Sequence, residues 1–212
     1  MIMVCEIFTS IQGESTYAGL PCTFIRLTGC NLRCSYCDTE YAYDEGRGMT
    51  IDEIVTEAAA AGVNLVEITG GEPLMNNETP ALAEALLDKG FDVLVETNGS
   101  MDISVLPDRA CVIMDIKTPR SGMHESNRMD NIPLLRHSDE VKFVLMDEDD
   151  YRWAFELIRE HGLEDKCRVL LSPIYGELDP RLLAGWILRD HVSVRLNLQL
   201  HKYIFGPDER GV

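Results

Sequence analysis

From residue 50 onward, short apolar runs of strand length alternate with longer amphipathic stretches, and this alternation limits the possible fold more than any other feature. Residues 50–61 are predicted as a helix, with Thr50 and Glu53 forming a capping box and Gly62 supplying the stop. Residues 65–69 read as a buried strand ending in Gly70 and Gly71. A second helix follows Thr79, with Pro80 at its first position and Gly90 just past its end. Further strands are expected at 92–96, 111–115, 140–145, 168–171 and 193–198, and helices at 148–161 and 180–189. The 148–161 helix carries Trp153, Leu157 and Ile158 on one face, with Gly162 as its terminator. Two strand-like runs, 4–8 and 23–27, precede the series. Repeated strand–helix units with short connections predict an α/β fold, a mostly parallel sheet with right-handed crossovers. Residues 119–137 show no clear period and are expected as a loop or a reduced element. No repeat, low-complexity segment or Gly/Ser/Pro linker divides the 212 residues, so one domain over 1–212 is expected.

In sheets of this kind ligands sit beyond the C-terminal ends of the strands. Three polar motifs fall there: Gly70-Gly71-Glu72-Pro73, Thr97-Asn98-Gly99 and Asp115-Ile116-Lys117-Thr118-Pro119. The chain holds 36 acidic and 19 basic residues, a formal charge of −17. Such a surface repels phosphate backbones, which argues against nucleic acid as a partner. An anionic substrate would need local cations inside a repelling field. No apolar run approaches the roughly 18 residues that span a bilayer, so no membrane partner is expected. The N-terminal Met1-Ile2-Met3-Val4 stretch lacks the basic and long apolar segments of a signal peptide, and the cytoplasm is the expected location.

Seven cysteines are present, an odd number that argues against a disulfide framework. Cys5, Cys22, Cys111 and Cys167 are scattered and read as buried small hydrophobes. Cys30, Cys34 and Cys37 form a Cys-x3-Cys-x2-Cys run in a polar loop with Gly29 and Asn31. A zinc knuckle needs a fourth ligand, for which Cys22 is the nearest candidate. Three unrelated core cysteines would not crowd into such a loop. Three thiolates instead leave one iron of a cubane cluster without a protein ligand, and an open iron can bind a small molecule.

This spacing, with aromatic Tyr36 before the last cysteine, resembles the radical S-adenosylmethionine (SAM) superfamily signature. The resemblance implies a trimmed, incomplete (β/α) barrel, a 4Fe-4S cluster on Cys30, Cys34 and Cys37, and SAM as cofactor. The superfamily's reduced cluster cleaves SAM to methionine and a 5′-deoxyadenosyl radical, which abstracts hydrogen from substrate. The Thr69-to-Pro73 segment resembles the superfamily's glycine-rich SAM contact, placing Gly71 and Glu72 at the cofactor together with Tyr36. Asp115 and Lys117 are either a surface salt bridge or further SAM contacts. Ser172, in Leu171-Ser172-Pro173-Ile174-Tyr175-Gly176, either lines the adenosine pocket or belongs to an ordinary turn.

Within the superfamily the flanks are similar to the 7-carboxy-7-deazaguanine synthase family. The similarity runs through Gln12-Gly13-Glu14, Phe24-Ile25-Arg26-Leu27, Cys37-Asp38-Thr39, Glu96-Thr97-Asn98-Gly99 and Leu198-Gln199-Leu200-His201-Lys202. That family converts 6-carboxy-5,6,7,8-tetrahydropterin to 7-carboxy-7-deazaguanine with loss of ammonia, a ring contraction on the route to queuosine-type deazapurines. The resemblance implies substrate contacts from Ile11, Gln12, Gly13, Glu14, Arg26, Thr69, Gln199 and His201, with Lys202 nearby. A carboxylate beside a carboxamide suits a guanine-like edge, and the Arg26 guanidinium suits the substrate carboxylate. An arginine in an apolar strand is expensive unless paired, which favours the same role. Read alone, Glu14 is equally a solvated turn residue and His201 equally a structural histidine. Thr39 matches the family's magnesium contact, whereas oxygen-ligand chemistry alone favours Asp38. An external one-electron donor, flavodoxin or similar, and a homodimer are also implied. The competing readings are an activase for a glycyl-radical enzyme, which shares the cysteine spacing, and a metal-binding or electron-carrier module.

Overall fold

A computed structural model of the chain describes residues 1–207 and 209–212. Its centre is one sheet of nine strands. The strands are β1 (Ile2–Ile11), β2 (Pro21–Leu27), β3 (Arg47–Met49), β4 (Leu65–Gly70), β5 (Asp92–Thr97), β6 (Cys111–Asp115), β7 (Glu140–Leu145), β8 (Arg168–Pro173) and β9 (Arg195–Leu196). The helices are α1 (Ile51–Ala60), α2 (Thr79–Asp88), α3 (Glu148–His161), α4 (Leu163–Lys166), α5 (Pro180–Asp190) and α6 (Leu200–Ile204). The spatial order is β3-β1-β2-β4-β5-β6-β7-β8-β9. Every pair from β2–β4 to β8–β9 is parallel, while β1 runs antiparallel to β2 and β3. The sheet therefore ends in two edges and does not close, which is the trimmed barrel the alternation and the resemblance predict.

Helix boundaries follow local chemistry. The Thr50 side chain accepts from the Glu53 amide while the Glu53 carboxylate accepts from the Thr50 amide, the predicted capping box. Asp147 caps α3 by accepting from the Asp150 amide, and Gly162 closes it in a left-handed conformation. The period of two then divides each strand between two faces. Val66, Ile68, Val93, Val95, Val112, Met114, Val141, Phe143, Val169 and Leu171 belong to the main core with the helices. Burying a Val or Leu side chain fully contributes about 1.5–3 kcal/mol, so this face supplies most of the fold's stability. The alternate residues, Glu67, Thr69, Glu96, Asp115 and Lys142, are buried or nearly so on the other face. A smaller apolar cluster of Cys22, Phe24, Leu65, Leu94, Cys111 and Ile113 floors that face.

Two expectations change. The last strand shrinks from 193–198 to the two residues Arg195–Leu196, which pair with Leu170 and Leu171 of β8 before the chain enters α6. Cys22, Cys111 and Cys167 are buried as expected, but Cys5 is only half-buried, at the register shift of β1 between Val4 and Glu6. Residues 119–137 are the reduced element expected, three short 3-10 turns with the side chains of Ser121 and Asn131 buried. Among the described residues no helix is long and apolar enough to cross a membrane.

Candidate active site

The polar face of the sheet opens into a cavity of about 530 Å³. At one end lies the loop joining β2 to β3, which carries Cys30, Cys34 and Cys37, all free thiols lining the cavity. The loop is held by its backbone: Gly29 N donates to Ala42 O at 2.8 Å, and Ser35 N to Ser121 O at 3.0 Å. Arg33 turns its guanidinium back onto the carbonyls of Cys30 and Leu32, 2.8 and 2.7 Å away, and lies 4.0 Å over the Tyr43 ring. Burial raises the Cys34 thiol above its ordinary pKa, and the Lys117 ammonium opposes this. Cys22, the candidate fourth zinc ligand, lies elsewhere, with its thiol directed at its neighbour's carbonyl in the apolar floor. The loop thus presents three thiols to one cavity, a donor set suited to a cluster with one open iron.

The glycine-rich segment packs directly on this loop. A side chain on Gly71 would run into the Gly29 carbonyl and the Cys30 side chain. Gly71 N donates to Leu27 O at 3.2 Å, and Glu72 N to Gly29 O at 2.8 Å. The Glu72 carboxylate points away from the cavity. It accepts from Leu74 N at 2.9 Å, Thr97 Oγ1 at 2.8 Å and Asn98 N at 2.6 Å, so it ties two loops together. Ser172 is also absent from the cavity wall; it is buried and accepts from Asn197 Nδ2 at 2.8 Å, and Ile174 from the same segment lines the cavity instead. Asp115 and Lys117 do form an ion pair, 2.7 Å long, but it is buried at the cavity wall rather than on the surface. Burial works against the Lys117 charge, yet Asp115 outweighs it and raises the lysine's pKa. Asp115 Oδ1 and the Tyr36 hydroxyl are buried here with no hydrogen-bond partner among the described residues.

The other end gathers Ile11, Gln12, Gly13, Glu14, Arg26, Thr69, Gln199, His201 and Lys202. Gln12 Oε1 accepts from Glu14 N at 2.9 Å, and its Nε2 donates to Glu67. Glu14 is no solvated turn residue: it accepts from Gln199 Nε2 at 3.1 Å and Lys142 Nζ at 2.9 Å. The His201 ring lies where a Gly13 side chain would stand, and Leu200 N donates to Gly13 O at 2.8 Å. This glycine is therefore the condition for the C-terminal segment to close on the pocket. Burial lowers the His201 pKa, favouring neutral imidazole. Arg26 already has an internal partner, Glu6, at 2.8 Å on the neighbouring strand. Thr39 Oγ1 is 3.8 Å from Cys37 Sγ, and Asp38 is engaged with Lys202 at 2.6 Å.

Two charged residues of the wall, Glu67 and Lys142, have no counterpart in the motif reading, and Glu96 stands in a matched motif without an assigned role. Their signal is an ionisable residue inside an apolar strand, as in Leu65-Val66-Glu67-Ile68 and Val141-Lys142-Phe143. The segment after α6 also contributes, with Pro207 and residues 209–212 along the cavity. Arg210 anchors it through Glu45 at 2.6 Å and by stacking 3.6 Å over Tyr41.

Residues 24–182 match the Radical SAM superfamily. The 7-carboxy-7-deazaguanine synthase of Chlorobaculum tepidum is 48% identical over 99% of this chain and 96% of its own length. That of Koribacter versatilis is 44% identical, with both chains covered fully, and that of Methanospirillum hungatei is 42% identical over 96% of this chain and 86% of its own. Among solved structures, QueE from Escherichia coli aligns over 94% of each chain with a TM-score of 0.79 at 23% identity. Streptococcus suis SuiB bound to S-adenosylmethionine covers 81% of this chain and 48% of its own, with a TM-score of 0.56 at 14% identity, a likeness of fold. These relatives favour a synthase over a glycyl-radical activase or an electron-carrier module. With superfamily similarity across most of the chain and synthase similarity from end to end, the protein belongs to the radical SAM superfamily and, within it, to the 7-carboxy-7-deazaguanine synthase family.

Proposed function

We propose that the cavity binds 6-carboxy-5,6,7,8-tetrahydropterin beside a 4Fe-4S cluster and SAM, and that the chain converts it to 7-carboxy-7-deazaguanine with loss of ammonia. One observation carries this reading. The three-thiol loop and a wall of carboxylate, carboxamide and guanidinium groups border the same cavity. When bound, the cluster and SAM supply the radical that begins the ring contraction. The rest falls to the protein. Cys30, Cys34 and Cys37 would hold the cluster through their thiolates. Gly71 lets the backbone approach SAM, and Tyr36, Asp115 and Lys117 offer it polar groups at the wall. Gln12, whose Oε1 accepts from the Glu14 backbone amide, and Glu14, whose carboxylate accepts from Lys142 and Gln199, receive the guanine-like edge. Thr69 and Gln199 hold the carboxylates around it. Arg26 takes the substrate carboxylate, with Glu6 orienting its guanidinium. His201 closes the pocket over Gly13. Thr39 is the magnesium contact, since Asp38 is already paired with Lys202. An external one-electron donor of the flavodoxin type, a homodimeric state and the reducing cytoplasm complete the reading.

The test is anaerobic reconstitution with iron and sulfide, then incubation with SAM, dithionite and carboxytetrahydropterin. The expected product by mass spectrometry is 7-carboxy-7-deazaguanine. Cleavage of SAM with no change to the pterin would overturn the substrate assignment.

A further inference from the structure

Among the described residues every Lys and Arg at the cavity wall has a carboxylate partner, and Lys142 alone bridges two carboxylates that themselves line the cavity. Arg26 pairs with Glu6, Lys117 with Asp115, Lys202 with Asp38 and Arg210 with Glu45. Lys142 bridges Glu14, at 2.9 Å, and Glu96. Its side chain is 7% exposed. The two acids come from distant parts of the chain, Glu14 from the β1–β2 connection and Glu96 from β5, while Lys142 lies on β7. The second oxygen of each acid is held by a neutral donor: Gln199 Nε2 for Glu14 at 3.1 Å and Thr69 Oγ1 for Glu96 at 3.1 Å. One ammonium therefore sets the spacing of four residues that face the substrate.

We infer that Lys142 is a positioning residue for substrate recognition, fixing Glu14 and Glu96 as a pair of acceptors at the pterin end of the pocket. The inference rests on the substrate reading above. The electrostatics agree with the geometry. Burial alone would raise the Glu96 pKa, but the adjoining Lys142 ammonium overrides it and holds the carboxyl at about 2. Burial also disfavours the charge on Lys142, and Glu14 and Glu96 together hold it protonated. Other groups facing this trio are Glu67 on β4, Arg26 on β2, Asp115 on β6 with Lys117 just after it, and His201 with Lys202 on α6. Glu67 is buried beside Glu96, and burial first and the Glu96 charge second raise its pKa and favour its neutral form. Without Lys142, Glu96 would lose the charge that offsets its burial, and its pKa would rise.

The test uses the reconstituted holoenzyme loaded with SAM and measures equilibrium affinity for carboxytetrahydropterin, and KM and kcat, from pH 5 to 9. Lys142→Met should weaken binding roughly tenfold or more at pH 7.5, and shift the acid limb of the binding profile upward by about one pH unit or more. KM should change more than kcat. Lys142→Arg keeps the charge and the fold but cannot reproduce both contacts in the same space. It should raise KM with the acid limb unmoved. If the Lys142→Met variant does not fold, the KM of Lys142→Arg decides. Wild-type affinity and an unmoved acid limb in folded Lys142→Met, or a wild-type KM in Lys142→Arg, overturn the inference. A wild-type enzyme that neither binds nor converts the pterin overturns the substrate reading and this inference with it.

Discussion

Arg26 Nε donates to Glu6 across two neighbouring strands at 2.8 Å, and Tyr41 hydroxyl donates to the same Glu6 oxygen at 2.9 Å. No further hydrogen bond from the Arg26 guanidinium is formed among the described residues, although the group lines the cavity. Glu6 thus explains how an arginine is tolerated in Phe24-Ile25-Arg26-Leu27, and leaves its terminal nitrogens for a ligand. A charge-assisted bidentate pair contributes on the order of 1.5–3 kcal/mol. Arg26→Ala should therefore raise the pterin Kd roughly ten- to a hundredfold. Arg26→Lys should recover little of this, because the planar fork is gone. Pterin affinity and SAM cleavage are measured separately. Cleavage that collapses while pterin affinity holds would assign Arg26 to the cofactor or the fold.

The cysteines divide into two classes. Substituting Cys30, Cys34 or Cys37 with Ala should abolish both the brown chromophore of the reconstituted protein and its SAM cleavage. Cys22, Cys111 and Cys167 are buried small side chains, and their Ala variants should retain the chromophore while losing about 1–2 kcal/mol of stability. Thermal unfolding and the visible spectrum check both statements. A Cys34→Ala variant with full activity would overturn the cluster assignment.

Thr39 and Asp38 separate by their present engagements. Asp38 is tied to Lys202 at 2.6 Å, so its carboxylate is not free to serve a cation unless that pair opens. Thr39→Ala should weaken the magnesium dependence of turnover and leave the cluster's spectrum intact. If Asp38→Ala shows that phenotype and Thr39→Ala does not, Asp38 is the ligand. Magnesium titrations of turnover decide.

Much of this site is readable from local patterns because its outline is built from loops after strands. The capping box of α1, the Gly162 stop of α3 and the strand-end glycines each act within a few residues. The cavity's inner wall is different. Lys142 meets acids 128 and 46 positions away, and Glu67 meets an amide 55 positions away. Those pairings depend on sheet order, including the antiparallel placement of β1 beside β2, which hydrophobic period does not encode. Glu72 and Ser172 show a different limit: a motif does not say where a side chain turns, and both side chains bond to neighbouring segments of the chain. The short β9 reflects where pairing with β8 stops, after Leu196, which no propensity foretells.

Glu67 makes a prediction about stability rather than turnover. It is buried, 3% exposed, with its carboxyl against the Gln12 side-chain amide and close to Glu96. Burial first, and the Glu96 charge second, raise its pKa well above the ordinary 4.5. In the unfolded chain Glu67 ionises near its ordinary value, while in the folded protein it keeps its proton to higher pH. The unfolded state then binds fewer protons than the folded state above that pH, so Glu67's contribution is fully present below about pH 4.5 and declines as pH rises toward its folded pKa. Glutamine has nearly the same shape, keeps an acceptor for Gln12 and cannot ionise. Glu67→Gln should therefore gain stability relative to wild type between pH 5 and pH 8, with the difference in Tm widening as pH increases. Thermal scans of both proteins across that range check it. A difference that is constant, or that narrows toward pH 8, would mean that folded Glu67 is ionised and that Gln12 is held by a carboxylate.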